Sequence, residues 1–264
     1  MSGTSDLELL ALQNMINGSE AMFDRRRRIL REARAIISQE GPEQLNMRNL
    51  GERAGVSTKT IYNAFGSKET VIALAIYTYF QSFVDHLTFE TNSRDLDGAM
   101  ERQATSTLRD VDVPHFMKAV IGLYFSRTVH PAIRAVLIDL ATRSWSDWLQ
   151  KVEDERQIRQ GVVLRELHVD LSSLQYACIL DWCNGSLSDE VFLRRSISGI
   201  LTHLMGATTG QAYEALGAAF ANLQSNTEFR DKMFSSSRDR IDAAMKNITA
   251  DRRRRRTANA RAVI

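Results

Sequence analysis

The chain has 264 residues, 44% of them hydrophobic and 25% charged. That composition excludes a disordered chain and suits one small plus one medium globular domain. The net charge is only +2, so the whole molecule is no polycation, and basic character has to be sought locally.

Only three prolines interrupt the chain, Pro42, Pro114 and Pro131, and long Leu/Ala/Arg/Glu-rich stretches favour helices. Residues 1–22 are an N-terminal extension in which Leu7, Leu10, Leu12 and Met15 outline one short helix, with a frayed segment as the alternative. A first strong helix is predicted from Asp24 to Gln39. Its Ile29, Ala33, Ile36 and Ile37 recur at i, i+4, i+7 and i+8, the spacing of a single buried stripe, and Gly41-Pro42 ends it. A second helix covers Met47–Ala54. Asn46 is its N-cap, and Gly55 follows as the residue best able to turn left-handed. Ser57 caps a third helix over Thr58–Ala64 that buries Ile61 and Phe65. Ser67 caps a fourth that runs through Leu74, Ile76, Tyr79, Phe80 and Phe83.

Further helices are expected at about 97–109, 114–128, 131–155, 171–186, 189–205, 210–224 and 226–248, with one break at His168–Ser172. No strand pattern or repeat is evident. The fold expected is all-α. Residues 23–70 make a three-helix N-terminal domain, 71–250 a larger helical domain, and 251–264 a basic tail around Arg252–Arg256. That tail is read as solvated, with a second polyanion contact as the alternative.

Between Asp24 and Thr70 ten Lys/Arg face six Asp/Glu, so polyanion affinity concentrates near the N-terminus. Cys178 and Cys183 match neither zinc nor CxxC spacing and, five apart on a helix, do not pair; they read as two buried thiols of a reducing compartment. His86, His115 and His130 are scattered, so neither a metal nor a cofactor is expected. No signal peptide is visible, and no run of about 18 apolar residues spans a membrane, so a cytoplasmic protein is expected.

The segment Leu45–Glu69, LNMRNLGERAGVSTKTIYNAFGSKE, carries the function. Two short helices joined by a glycine turn pack steeply and hold the second as a rigid probe. A helix is the right width for the major groove of DNA. The probe offers Thr58, Lys59, Thr60, Tyr62 and Asn63 outward and Ile61 and Phe65 inward. A helical hairpin whose polar residues are merely solvated leaves the agreement of caps, turn and spacing unexplained.

At these residues the chain resembles the TetR/AcrR family of bacterial transcription regulators. ILREARAIISQEG, GERAGVS and TIYNAFGSKE carry the resemblance over about Arg27–Leu74; beyond residue 80 it is one of layout. Ala64 departs from it, since many members hold an aromatic residue there, and so does the long C-terminal extension.

The resemblance implies a dimeric repressor that a small molecule releases from a palindromic double-stranded operator. Ser57, Thr58, Lys59, Thr60 and Asn63 are then set at bases or nearby phosphates, and Arg48, Tyr62 and Lys68 at phosphates. Arg25, Arg26, Arg27 and Arg28, placed at the start of helix 1, read equally as a solvated turn or as an arm on the DNA. Their opposition to the helix dipole there favours the arm.

A pocket for a small, largely apolar effector is expected among Phe116, Met117, Tyr124, Phe125, Trp145, Trp148, Tyr176 and Trp182, although each reads singly as core. Leu171–Ser186 and Asp189–Met205 are the expected dimer helices. Phe192, Ser196, Gly199, Ile200 and His203 are the expected interface, with an internal core helix as the alternative. An activator or architectural DNA-binding protein without an inducer stays open. An enzyme working in the helical cavity lacks any Ser-His-Asp spacing, phosphate-binding glycine loop, HExxH motif or paired carboxylates.

Overall fold

A computed structural model of the chain describes residues 20–261, which form eleven helices joined by loops. The expected short helix around Leu7–Met15 lies outside these residues. In chain order the helices are α1 (Glu20–Glu40), α2 (Met47–Ala54), α3 (Thr58–Phe65), α4 (Lys68–Val84), α5 (Leu96–Val111) and α6 (Pro114–Tyr124). They continue as α7 (Pro131–Asp154), α8 (Leu164–Cys183), α9 (Asp189–Ala207), α10 (Gly210–Ser225) and α11 (Thr227–Arg261). The only strand-like pairing among them is an isolated bridge between Ile158 and Thr208. Among the described residues no helix is long and apolar enough to cross a membrane.

The head is built from local signals. The α1 stripe Ile29, Ala33, Ile36 and Ile37 is fully buried, and Gly41 turns out of the helix at φ 92°. The side chain of Asn46 accepts the Asn49 N–H at 2.8 Å, that of Ser57 the Thr60 N–H at 3.1 Å, and that of Ser67 the Thr70 N–H at 3.1 Å. Each cap satisfies a donor that a helix start leaves free. Gly55 takes φ 63°, ψ 42° in the α2–α3 turn.

α4 is apolar nearly all round, and Val71–Tyr77 are buried without interruption. Such a helix belongs inside a core. It does: one hydrophobic cluster runs from Ile29 and Ile61 in the head through α4 to Met117, Val136 and Ile179. A second cluster joins α5, α7, α8, α9 and α10 around Trp145, Leu171 and Leu201. Head and larger domain therefore share a continuous interior, with α4 at its centre.

Besides the start of α1, at Glu20 rather than Asp24, three boundaries stand out from expectation. α8 starts at Leu164 rather than about 171. The string HVDLSS reads as a break, but Leu167 and Leu171 are both buried and hold it in register. His168 Nδ1 also bonds the Leu164 carbonyl at 2.8 Å. α6 stops at Tyr124, leaving Phe125 half exposed in the loop. α11 continues to Arg261, past the residue where a separate tail was expected.

Candidate nucleic-acid interface and effector cavity

α3 is anchored by Ile61 and Phe65, both buried. Lys59, Tyr62 and Asn63 are exposed on its other side. Among the described residues none of these three has a side-chain hydrogen-bond partner. Thr58 and Thr60 are half-buried, and the Ser57 and Thr60 hydroxyls bond each other at 2.8 Å. Arg48 is tied only to Glu52, at 3.3 Å and 87% exposed; such surface pairs are worth about 0–1 kcal/mol and yield readily to a phosphate. Lys68 Nζ donates to the Glu43 carbonyl at 3.4 Å. Ala64 packs against the core. Arg53, by contrast, is occupied: it reaches Glu40 at 2.9 Å and Glu32 at 3.8 Å and straps α2 to α1.

The Arg25–Arg28 run does not start a helix. α1 already begins at Glu20, so the dipole argument for a DNA arm falls away. Arg25, Arg27 and Arg28 are exposed and Arg26 is half-buried.

Behind the head lies a cavity of about 210 Å³, room for on the order of a dozen waters. α4 contributes Phe80, Phe83 and Val84 to its wall; α5 contributes Arg102, Gln103, Ser106, Arg109 and Asp110; α6 contributes Met117 and Val120. Leu140, Arg143, Ser144 and Asp147 of α7 and Gln175, Tyr176 and Ile179 of α8 close it. Of the eight expected pocket residues, Met117 and Tyr176 line it.

The other six serve elsewhere. Phe116 sits edge-on to Tyr79 at 4.8 Å. The Tyr124 hydroxyl bonds Ser172 and Ser173 at 3.0 and 2.9 Å. Trp145 is buried and donates Nε1–H to Gln103 Oε1 at 2.9 Å, with Trp148 T-shaped against it. Trp182 stacks on Phe192 at 4.9 Å, and Phe125 faces solvent.

The polar lining escaped the expectation. Gln103 is held by Trp145, Thr107 and Gln175. Arg109 donates to the Tyr79 hydroxyl at 2.8 Å and lies 3.6 Å from Asp112. Arg143 pairs with Asp139 and donates to Gln81 at 3.0 Å. Asp110 is buried and, among the described residues, makes no side-chain hydrogen bond; burial pushes its carboxyl up to about 8. Arg102 with Arg109 and Gln103 with Asp110 repeat at seven residues, two helical turns. Polar pairs at that spacing inside a helix otherwise rich in buried residues were the available sequence signal.

Residues 29–74 match the family model described as "Bacterial regulatory proteins, tetR family". Two curated relatives match as well, both HTH-type transcriptional repressors KstR. The Mycolicibacterium smegmatis protein is 42% identical over 64 residues, 24% of this chain and 31% of its own length. The Mycobacterium tuberculosis protein is 42% identical over 59 residues, 22% of this chain and 27% of its own. Residues 29–74 are thus a head domain of the kind found in the tetR family of bacterial regulatory proteins. The matches span under a third of each relative's length.

Among solved structures, a Rhodococcus sp. chain assigned to the TetR family is 19% identical with a TM-score of 0.49, covering 70% of this chain and 100% of its own. A SmeT–triclosan complex is 18% identical with a TM-score of 0.45, covering 72% and 94%.

The expected partner-facing set divides. Phe192, Ser196 and Ile200 are buried in the protomer's own core. α9 packs between α5, α8 and α10, so its large apolar residues are used internally. Gly199 is exposed and His203 half-exposed, the latter 3.7 Å from Asp170 of α8. They share an open face with Thr202 and Gly206 of α9, and with Val163 in the loop before α8 and Leu174 on it. Val163 and Leu174 are the exposed large apolar residues of that face. The scattered histidines have local duties too: His130 Nδ1 accepts the Ala132 N–H at the start of α7, and His86 bonds the Ser82 carbonyl and Asp251.

Proposed function

We propose that this chain is a DNA-binding transcription repressor that works as a homodimer and leaves a palindromic operator when a small molecule fills the α4–α8 cavity. The observation that carries the reading is the outward set Lys59, Tyr62 and Asn63, left without protein partners on a helix whose other side is locked by Ile61 and Phe65. A cation, an aromatic hydroxyl and an amide held at rigid positions suit phosphates and base edges. The repressor direction comes from the named relatives.

One head supplies few base contacts, so two copies are needed to hold two half-sites. The face formed by Leu174, Gly199, Thr202 and Gly206 is where the second copy docks, its glycines allowing close helix approach.

α4 links cavity and head. Its 17 residues span about 25 Å, from the Ser67 cap beside the head to Phe80 and Phe83 in the cavity wall. A second route is aromatic: Arg34 of α1 lies 4.7 Å over the Tyr79 ring, and Arg109 of the cavity holds the Tyr79 hydroxyl. A ligand that fits one tilt of α4 better than another shifts the separation of the two heads by its differential affinity.

Selection from a random-sequence duplex pool tests the proposal. Enrichment of a two-fold symmetric sequence is expected. A pool that stays random while binding remains salt-sensitive would make the protein architectural, and a pool that never binds would remove the reading head.

A further inference from the structure

Asp110 is the buried acid of the cavity wall, and the Arg109 charge beside it offsets only part of the cost of burying its carboxylate. It is 5% exposed, it lines the cavity, and among the described residues its carboxyl makes no hydrogen bond. An isolated carboxylate in such a place is far costlier than a neutral carboxyl, so the group holds its proton. A protonated carboxyl is a donor in search of an acceptor.

The surrounding charges narrow what that acceptor is. A cation entering here meets three guanidiniums in the same wall, Arg102, Arg109 and Arg143. An anion finds each of the three already engaged, with a buried Nε–H of Arg109 as the one donor there without a partner among the described residues. Arg109 is turned to Tyr79 and Asp112, Arg143 to Asp139 and Gln81, and Arg102 to the Gly98 and Thr91 carbonyls. The rest of the lining is largely apolar. We propose that the cavity takes a largely apolar molecule bearing one uncharged oxygen acceptor, a carbonyl or hydroxyl, which the Asp110 carboxyl holds by donating its proton in a hydrogen bond. The assignment rests on the reading of this cavity as the effector site.

The groups around Asp110 leave it as the group that titrates near neutrality. Tyr79 on α4 and Tyr176 on α8 are pushed upward by burial, and Cys183 on α8 is pushed up to about 11. Arg109 on its own helix is the charge that acts on it, and the other charged side chains of the cavity wall are Arg102 on α5 and Arg143 and Asp147 on α7; Lys118 on α6 acts on Cys183. Asp110 itself sits at about 8, so the donor is present at about pH 6 and gone at about pH 9.

Calorimetric titration of the full chain with four naphthalenes of matched shape is the test: acetonaphthone, isopropenylnaphthalene, naphthoate and naphthylethylamine. At about pH 6 acetonaphthone should bind about three- to tenfold tighter than the hydrocarbon, the worth of one hydrogen bond. It should also outbind both charged probes. That advantage should vanish as pH rises through about 8. In Asp110→Asn, whose amide still donates, it should persist at every pH. In Asp110→Leu it should be absent at every pH while isopropenylnaphthalene still binds, which also reports an intact cavity. Equal binding of ketone and hydrocarbon, a preference indifferent to pH in the unaltered chain, or strongest binding of either charged probe would each overturn the inference while leaving a ligand site. Failure of all four to bind would overturn it together with the reading of the cavity.

Discussion

Replacing Asp110 by Asn should flatten the dependence of folding stability on pH. In an unfolded chain an aspartate titrates near 4, whereas burial in the fold raises Asp110 to about 8. Between those values the folded chain keeps a proton that the unfolded chain has released. Stability therefore falls as pH rises through this window, by up to about 1.4 kcal/mol per pH unit for one proton. The protonated group's contribution is intact below about pH 4 and lost by about pH 8. Over about three units, from pH 5 to 8, that amounts to about 4 kcal/mol, trimmed to about 2–4 if the cavity admits water once the carboxylate forms. Asn has nearly the same shape and no proton to lose, so the variant lacks this slope. Equilibrium urea unfolding of both chains at intervals across the window gives the difference directly. Taking the difference also cancels the five histidines, which titrate in both. Curves that run parallel from pH 5 to 8 would refute the argument and mean that Asp110 ionises in the fold.

The other predictions concern the head and the partner face. Lys59→Ala and Tyr62→Ala should each weaken operator binding by about 1–3 kcal/mol per head, with thermal unfolding unchanged because both side chains are exposed; Lys59→Ala should also reduce the salt slope by about one per head, read by fluorescence anisotropy. Gly55→Ala forces a side chain into a left-handed position at φ 63° with open space around it, so a loss of about 1–2 kcal/mol from backbone strain alone is expected in urea titrations. Gly199→Arg meets nothing within 4 Å of the added Cβ, so the protomer should fold as well as before while sedimentation shows the dimer weakened.

The head was legible because its determinants are local. Asn46, Gly55, Ser57 and Ser67 act within three or four residues of themselves, and the structure realises each one. The cavity was not, because which side of a helix faces a void depends on how five helices meet. Trp145 is grouped with the pocket candidates though it reads singly as core; its N–H is spent on Gln103, and the same bond helps fix the polar wall. Apolar rows on α9 mark burial without saying against what: Phe192 and Ile200 went to the protomer's own core, while the glycines left the outer face open. The dipole reading of Arg25–Arg28 failed because it depended on a helix start placed four residues too late.

Footprinting of the selected duplex across a salt series tests the central claim most directly. Two protected patches about one helical turn apart, lost steeply as salt rises and lost at low salt in the Lys59→Ala, Tyr62→Ala double variant, are predicted for paired α3 helices reading a palindrome. Protection that survives the double variant, or a single patch without symmetry, would contradict it.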